Sequence, residues 1–225
     1  PRPNLFFVEG DVNDYRTVLE VMTTYDIDYV FHYAAVVGVN RTQMHPIRVL
    51  EDLRGIENIC KISKDKGVKR VFYASSSEVY GDPVEFPQNA HNTPLNSRVP
   101  YAVVKNAGEV FLRSYHKEYG LDYTIFRFFN TYGPKQSKDF VISKFMNMAL
   151  NNKPISIYGD GSQSRTFCYI DDNIAATVKI AYNDLFVNDV VNIGNSRETS
   201  VLELANIIIG ITGSKSKIVY LPPLP

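Results

Sequence analysis

Short apolar runs closed by small or polar residues alternate along this chain with stretches whose apolar positions recur every three or four residues. The runs Leu5–Val8, Asp28–Ala35, Val68–Ala74, Asp122–Phe129, Ile155–Tyr158 and Val190–Gly194 read as buried strands. Between them the helical spacing predicts a helix running to about Tyr25 with Asp11 or Asn13 as its cap, and a long one from Gln43 to about Lys66, apolar at Ile47, Leu50, Ile56, Ile59, Cys60 and Ile62. Pro100, whose missing N–H costs nothing at a first helical position, opens another. Its buried stripe continues through Ala107, Val110, Phe111, Ser114 and Tyr115 to a natural stop at Gly120. Further helices are predicted from about Lys138 to Asn151, from a cap at Asp171 or Asp172 to near Phe186, and from a cap at Ser200 through Ile211. Strand and helix alternate throughout, which predicts an α/β fold with a parallel sheet and right-handed crossovers. The Pro-rich stretch from Gly81 to Pro100 has no pattern of its own, and a loop of that length is usually functional.

Composition narrows the function classes. A chain of 225 residues that is 44% hydrophobic can bury one sizeable core, or one core and a small lobe. Its 24 basic and 24 acidic side chains include no basic run, so nothing marks a nucleic-acid or anionic-membrane partner, and a bound anion must be met by local donors. No stretch approaches the roughly 18 apolar residues of a membrane span, and Pro1-Arg2-Pro3-Asn4 is not a charged prefix to an apolar segment, so a cytoplasmic protein is expected. Cys60 and Cys168 form neither a metal pattern nor a disulfide framework, which fits a reducing compartment and predicts no metal site.

The candidate chemistry lies in Pro100-Tyr101-Ala102-Val103-Val104-Lys105, where a phenol and an ammonium four apart share one helical face. An ammonium beside a phenol favours the phenolate, so Tyr101 is expected to exchange a proton with a substrate hydroxyl well below its free pKa of roughly 10. Such a spacing is common by itself and usually means packing plus a solvated charge. Upstream, the apolar run Val71-Phe72-Tyr73-Ala74 ends in Ser75-Ser76-Ser77-Glu78, and strands that deliver polar groups at their carboxyl ends are how open α/β sheets build sites.

These two stretches, with Gly10-Asp11-Val12, His32-Tyr33-Ala34-Ala35, Val79-Tyr80-Gly81, the run Arg127 to Pro134, and Gly159-Asp160-Gly161 followed by Arg165, resemble the extended short-chain dehydrogenase/reductases that act on nucleotide sugars. The resemblance follows the family's order over nearly the whole chain. It implies a Rossmann-like doubly wound parallel sheet with a small α/β substrate-binding lobe. Residues 1–135 would form part of an NAD-binding domain completed by about 166–195, and 136–225 would be mainly the substrate lobe. The cofactor implied is NAD, with Asp11 and Val12 flanking the adenine and Ala34, Ala35, Ala74, Ser75, Phe128, Tyr101 and Lys105 against the rest. Tyr101, Lys105, Ser76 and Glu78 would be catalytic, and Asn130, Tyr158, Gln163 and Arg165 would hold a UDP-sugar. The family also implies a homodimer through the helices at 43–66 and 101–119. His32 lies inside its run and is expected to be a packed strand histidine. One departure is Asp52, where the family usually has Asn three residues before the glycine matched to Gly55; an Asp cannot donate. No Gly-rich turn for the pyrophosphate occurs, and Leu5–Val8 resembles the family's third strand, so the first two strand–helix units, about 50 to 60 residues, are expected to be missing and the chain alone to be inactive.

After oxidation at C4 the resemblance branches. Ser77 is a poor acid, which argues against dehydration, whereas Ser77-Glu78 matches UDP-glucuronate decarboxylases. The run from Val36 to Thr42 lacks their Pro-rich turn and looks like 4-epimerases, the favoured reading. A catalytically silent nucleotide-binding sensor is the reading from another class, and the retained Ser76, Tyr101 and Lys105 speak against it.

Overall fold

The computed structural model describes residues 4–223. In chain order the first elements are α1 (Tyr15–Thr24), β1 (Tyr29–His32), α2 (Val39–Met44), α3 (Pro46–Leu50), α4 (Asp52–Asp65), β2 (Arg70–Ser76), a 3₁₀ turn (Ser77–Tyr80), α5 (Pro100–Tyr119) and β3 (Asp122–Phe128). There follow β4 (Thr131–Tyr132), α6 (Val141–Leu150), β5 (Ile155–Tyr158), β6 (Ser164–Thr166), β7 (Cys168–Tyr169), α7 (Ile170–Tyr182), β8 (Asp189–Ile193), β9 (Glu198–Ser200), α8 (Val201–Thr212) and β10 (Ile218–Leu221). Two compact units result: residues up to Phe128 with Asn183–Asn192, and Phe129–Tyr182 with the residues from Ile193 onward. Of the stretch 166–195 that the resemblance implies for the NAD-binding domain, Asn183–Asn192 falls in the first unit and α7 in the second.

The first unit is built on a sheet of order β1-β2-β3-β8. The β1–β2 and β2–β3 pairs are parallel, with Tyr73 between His32 and Ile125. Every residue of β2 is buried, as expected of a central strand covered on both faces. Helices α4 and α5 meet the sheet through Ile56, Ile59, Ile62, Val104 and Leu112, which join Val71, Tyr73 and Ile125 in one core. α5 begins with Pro100 at its first position and ends at Gly120, whose φ of 72° gives the left-handed cap that a residue with a side chain adopts at a cost.

Several expectations need correction. The helix predicted from Gln43 to Lys66 is three: Pro46 drives His45 out of the helical region, to φ −130° and ψ 58°, and a second irregularity falls at Glu51. Leu5–Val8 is not a strand. No described segment pairs with it, and its four apolar side chains are exposed, with Phe7 at 88%. The α1 cap is Asp14, whose carboxylate accepts from the Arg16 N–H at 3.0 Å, and not Asp11 or Asn13. Asp171 and Asp172 lie inside the first turn of α7, which stops at Tyr182 before a turn with positive φ at Asp184, Phe186 and Asn188.

In the second unit, α6 and α8 bury Phe145, Ala149, Leu204, Ala205 and Ile208 with Ile155 and Ile157 of β5. β5 pairs in parallel with β10, β4 with β7, and β6 runs antiparallel to β9. Among the described residues no helix is long and apolar enough to cross a membrane, and no cluster of His, Cys, Asp and Glu could hold a metal ion.

Candidate active site

Ser76 is the last residue of β2, and its hydroxyl caps the 3₁₀ turn by accepting from the Glu78 N–H at 3.2 Å. Tyr101 and Lys105 occupy the first turns of α5, which lies against that strand end. The Lys105 ammonium donates to the Ala74 carbonyl at 2.6 Å and lies 5.6 Å from the centre of the Tyr101 ring. The structure thus brings together Ser76, Tyr101 and Lys105, while Glu78 stays exposed beside them. Burial pushes the Tyr101 phenol up to about 12; a hydrogen bond with Ser76 opposes the rise, and the charges of Glu78 and Asp52 add to it. Burial likewise pulls Lys105 down to about 8, with Asp52 opposing. The expectation of a phenol well below 10 is therefore corrected for the chain without ligand. Desolvation penalises whichever form carries charge, and here it is the largest cause of the rise.

One residue back along β2 the side chain turns to the other face, and Ser75 donates to Glu109 at 2.6 Å. Glu109 is salt-bridged to Arg127 through both carboxylate oxygens, at 2.9 and 2.7 Å, with both side chains almost wholly buried. Arg127 also donates to the Tyr80 hydroxyl at 2.9 Å and to the Ala90 carbonyl at 2.8 Å, fastening the 81–100 loop beneath the site. Sequence reading placed Ser75 against the cofactor. Its hydroxyl is held by Glu109, and the Ala74 carbonyl is held by Lys105. Nothing local links Glu109 and Arg127 as a pair at positions so far apart, and the expected stripe of α5 misses Glu109: the buried face is Ala102, Val104, Lys105, Gly108, Glu109 and Leu112, while Val110 and Ser114 are exposed.

The positions expected to meet NAD lie in the segment before α1, in the residues after β1, and toward the ends of β2 and β3. Asp11 accepts from the Asn13 N–H at 2.9 Å and is exposed. Ala34 and Ala35 follow β1, Ala34 being exposed, so a ligand can approach their backbone closely. Helix α4 ties both segments down. Asn58 donates to the Val12 carbonyl at 3.0 Å, Asn13 accepts from the Gly55 N–H at 2.8 Å, and Asp52 accepts from the Val36 N–H at 2.7 Å. Asp52 therefore needs no donor here. Burial raises its pKa, with the Val36 N–H and Lys105 opposing. His32 is the packed strand histidine expected, stacked on Tyr73 and pushed down to about 4 by burial, with Lys105 adding. Phe128 ends β3 with its ring edge-on to Tyr33 at 5.6 Å. Small residues at an open strand end, an exposed acceptor at Asp11 and an ammonium under a phenol fit a nicotinamide dinucleotide.

The remaining candidates belong to the second unit. Gln163 donates to the Tyr158 carbonyl at 3.0 Å across the Gly159–Gly161 turn, and Lys144 lies 5.8 Å from the Tyr158 ring centre. The Asn130 amide donates to the Thr166 carbonyl at 3.0 Å, and Arg165 on β6 is exposed.

Comparison with known proteins agrees with this geometry. The model of the NAD dependent epimerase/dehydratase family matches residues 2–194. A UDP-glucuronate 4-epimerase of Thermodesulfobacterium geofontis is 33% identical over 97% of this chain and 67% of its own length. A UDP-N-acetyl-alpha-D-glucosaminuronate decarboxylase of Bacillus cytotoxicus is 35% identical over 97% of this chain and 69% of its own. Among solved structures, a UDP-glucose 4-epimerase of Thermotoga maritima with UDP-glucose superposes with a TM-score of 0.93 at 29% identity, covering 100% of this chain and 74% of that one. The chain therefore belongs to the NAD-dependent epimerase/dehydratase family, with NAD as its cofactor.

Proposed function

We propose that the protein is a UDP-sugar 4-epimerase that works by transient oxidation of the sugar at C4. The observation that carries this reading is the cluster of buried Ser76 and Lys105 with the partly buried Tyr101 at the carboxyl end of β2. Bound NAD supplies the hydride acceptor and, on return, the donor. The chain's own part is the proton: Tyr101 Oη takes it from the C4 hydroxyl, Ser76 is the second partner in that network, and Lys105 holds positive charge beside the phenolate. The exposed guanidinium of Arg165 suits a diphosphate, with Asn130, Tyr158 and Gln163 as further contacts.

Ser77 in place of a carboxylic acid speaks against dehydration. UDP-glucuronate decarboxylation is the second reading, favoured by the Ser77-Glu78 pair and by the Bacillus decarboxylase relative. We also propose a homodimer through the helices at 43–66 and 101–119, supported by the exposed Ile47, Val103 and Val110 on α3 and α5. Two free, buried cysteines fit a reducing compartment.

The test is incubation of the full-length protein with NAD and, separately, UDP-glucose, UDP-N-acetylglucosamine and UDP-glucuronate. A 4-epimer identified by NMR supports the proposal, and CO2 from UDP-glucuronate moves the assignment to the decarboxylase. No product from any of the three overturns both.

A further inference from the structure

Tyr73 has no part in the chemistry above, yet it is the side chain on which Lys105 rests. It stands in the middle of β2, 1% exposed, between His32 and Ile125. Its hydroxyl has no hydrogen-bond partner among the described residues. That oxygen is pressed against α5, since a Cβ added at Gly108 would come within 2.2 Å of it. The hydroxyl is thus buried without recompense, and what the position offers its neighbours is the ring. The Lys105 nitrogen lies 5.2 Å from the centre of the Tyr73 ring and 5.6 Å from that of Tyr101. Both distances fall within the range where a cation is attracted to an aromatic face. Only one of the three ammonium protons has an oxygen acceptor among the described residues, the Ala74 carbonyl at 2.6 Å.

We propose that Tyr73 is a positioning residue whose aromatic face, with that of Tyr101, forms a box that keeps the Lys105 ammonium charged and set under the Tyr101 phenol. The proposal rests on the reading of Lys105 as the partner of that phenol. The titratable groups facing Lys105 are His32 from β1, Asp52 from α4, Tyr73 from β2 and Tyr101 from its own helix, with Cys60 and Glu109 close to Tyr73. Of these, Asp52 is the one whose charge supports the ammonium, against the desolvation that pulls it down. An electron-rich face supports a cation without adding a second buried carboxylate, which would itself have to be desolvated.

The experiment separates ring electrostatics from ring packing. Protein labelled with 13C-lysine is titrated by NMR, and the Lys105 signal is assigned by its loss in Lys105→Met. Position 73 then carries Tyr, Phe, trifluorophenylalanine and pentafluorophenylalanine in turn, so that ring shape and fold are kept while the face goes from attracting to repelling a cation. Wild-type Lys105 should titrate near about 8, and Tyr73→Phe should titrate alike. Fluorination should lower that pKa stepwise, by about 0.5 to 1.5 units across the series. Turnover near neutral pH should fall along the fluorinated series relative to Tyr73→Phe. A Lys105 pKa unmoved by fluorination, or moved as far by Tyr73→Phe, overturns the proposal. If wild type turns over no UDP-sugar, the proposed function fails, while the titration still decides the role of Tyr73.

Discussion

Replacing Arg127 by Met removes one half of a salt bridge that is buried to within a few per cent on both sides. Met keeps much of the volume, so the cost is electrostatic. Glu109 is left with the Ser75 hydroxyl at 2.6 Å and with Arg113 at 3.8 Å, whose half-exposed guanidinium is a weak substitute. The Ala90 carbonyl loses its donor at 2.8 Å, whereas Tyr80 keeps a partner, donating to Asn192 at 2.7 Å. Breaking a buried pair from one side costs ~3–5 kcal/mol, and the surviving Ser75 contact places this case near ~3 kcal/mol. Replacing both partners, Arg127→Met with Glu109→Leu, leaves no unpaired charge and should recover all but about 1 kcal/mol. Urea unfolding of wild type, both single variants and the double variant gives the coupling directly. A single-variant cost under about 1 kcal/mol, or a double variant no more stable than Arg127→Met, would show that Glu109 carries no buried charge needing that arginine.

Four further outcomes are expected. Tyr101→Phe should lower turnover by roughly 10²–10⁴ while nucleotide-sugar binding, followed by calorimetry, stays near wild type, because the ring remains and the proton acceptor does not; wild-type turnover would remove this base from the mechanism. Glu78→Gln should change 4-epimerisation mildly and decarboxylation severely, so comparing the two assays on one variant separates the two activities. His32, pushed from 6.5 to about 4, is neutral in the fold where the unfolded chain is protonated, so it adds stability above pH 6.5 that is lost on acidification to about 4, on the order of 3 kcal/mol; His32→Asn should flatten that limb of the urea-midpoint profile, and an unchanged slope would contradict the burial argument. Asp52 has a raised pKa, so its contribution is fully present below 3.8 and lost as pH rises through the folded value; Asp52→Asn, whose amide oxygen can still accept from Val36, should equal or exceed wild-type stability at pH 7, and a clear loss there would mean that the carboxylate charge itself holds α4.

What could be read in advance followed from signals carried locally. β2, β3 and β8 lie where apolar runs predict them, and α5 opens and closes at Pro100 and Gly120 because those residues constrain the backbone by themselves. The break at His45 was also readable, from Pro46, but the regular apolar spacing on either side masked it. Leu5–Val8 is a different case: an apolar run forms a strand only against a neighbour, and no described segment pairs with it. β4, β7 and β9 are two or three residues long, too short for any period. At the site, spacing alone put Tyr101 and Lys105 on one helical face, and the resemblance pointed to Ser76 beside them; the structure brings the three together. Tyr73 looked like one more aromatic in a buried run, and Glu109 and Arg127, eighteen residues apart on different elements, are linked only by the packing of α5 on the sheet.

The charge state of the site was the least legible part, and the geometry shows what it requires. Near neutral pH Lys105, at about 8, is charged, and Tyr101, at about 12, holds its proton. Bringing the phenol to pH 7 takes about five units, or ~7 kcal/mol. The value of about 12 is for a chain in which the Lys105 nitrogen already stands 5.6 Å from the ring centre, with Asp52 and Glu78 pushing the phenol upward. One further unit charge at such a distance supplies about 3 kcal/mol at an effective dielectric constant near 20, less than half of the gap. Tyr101 in the chain alone therefore keeps its proton near neutral pH, and the role proposed for it as a base requires that what binds in the site bring positive charge and hydrogen bonds to the phenolate together.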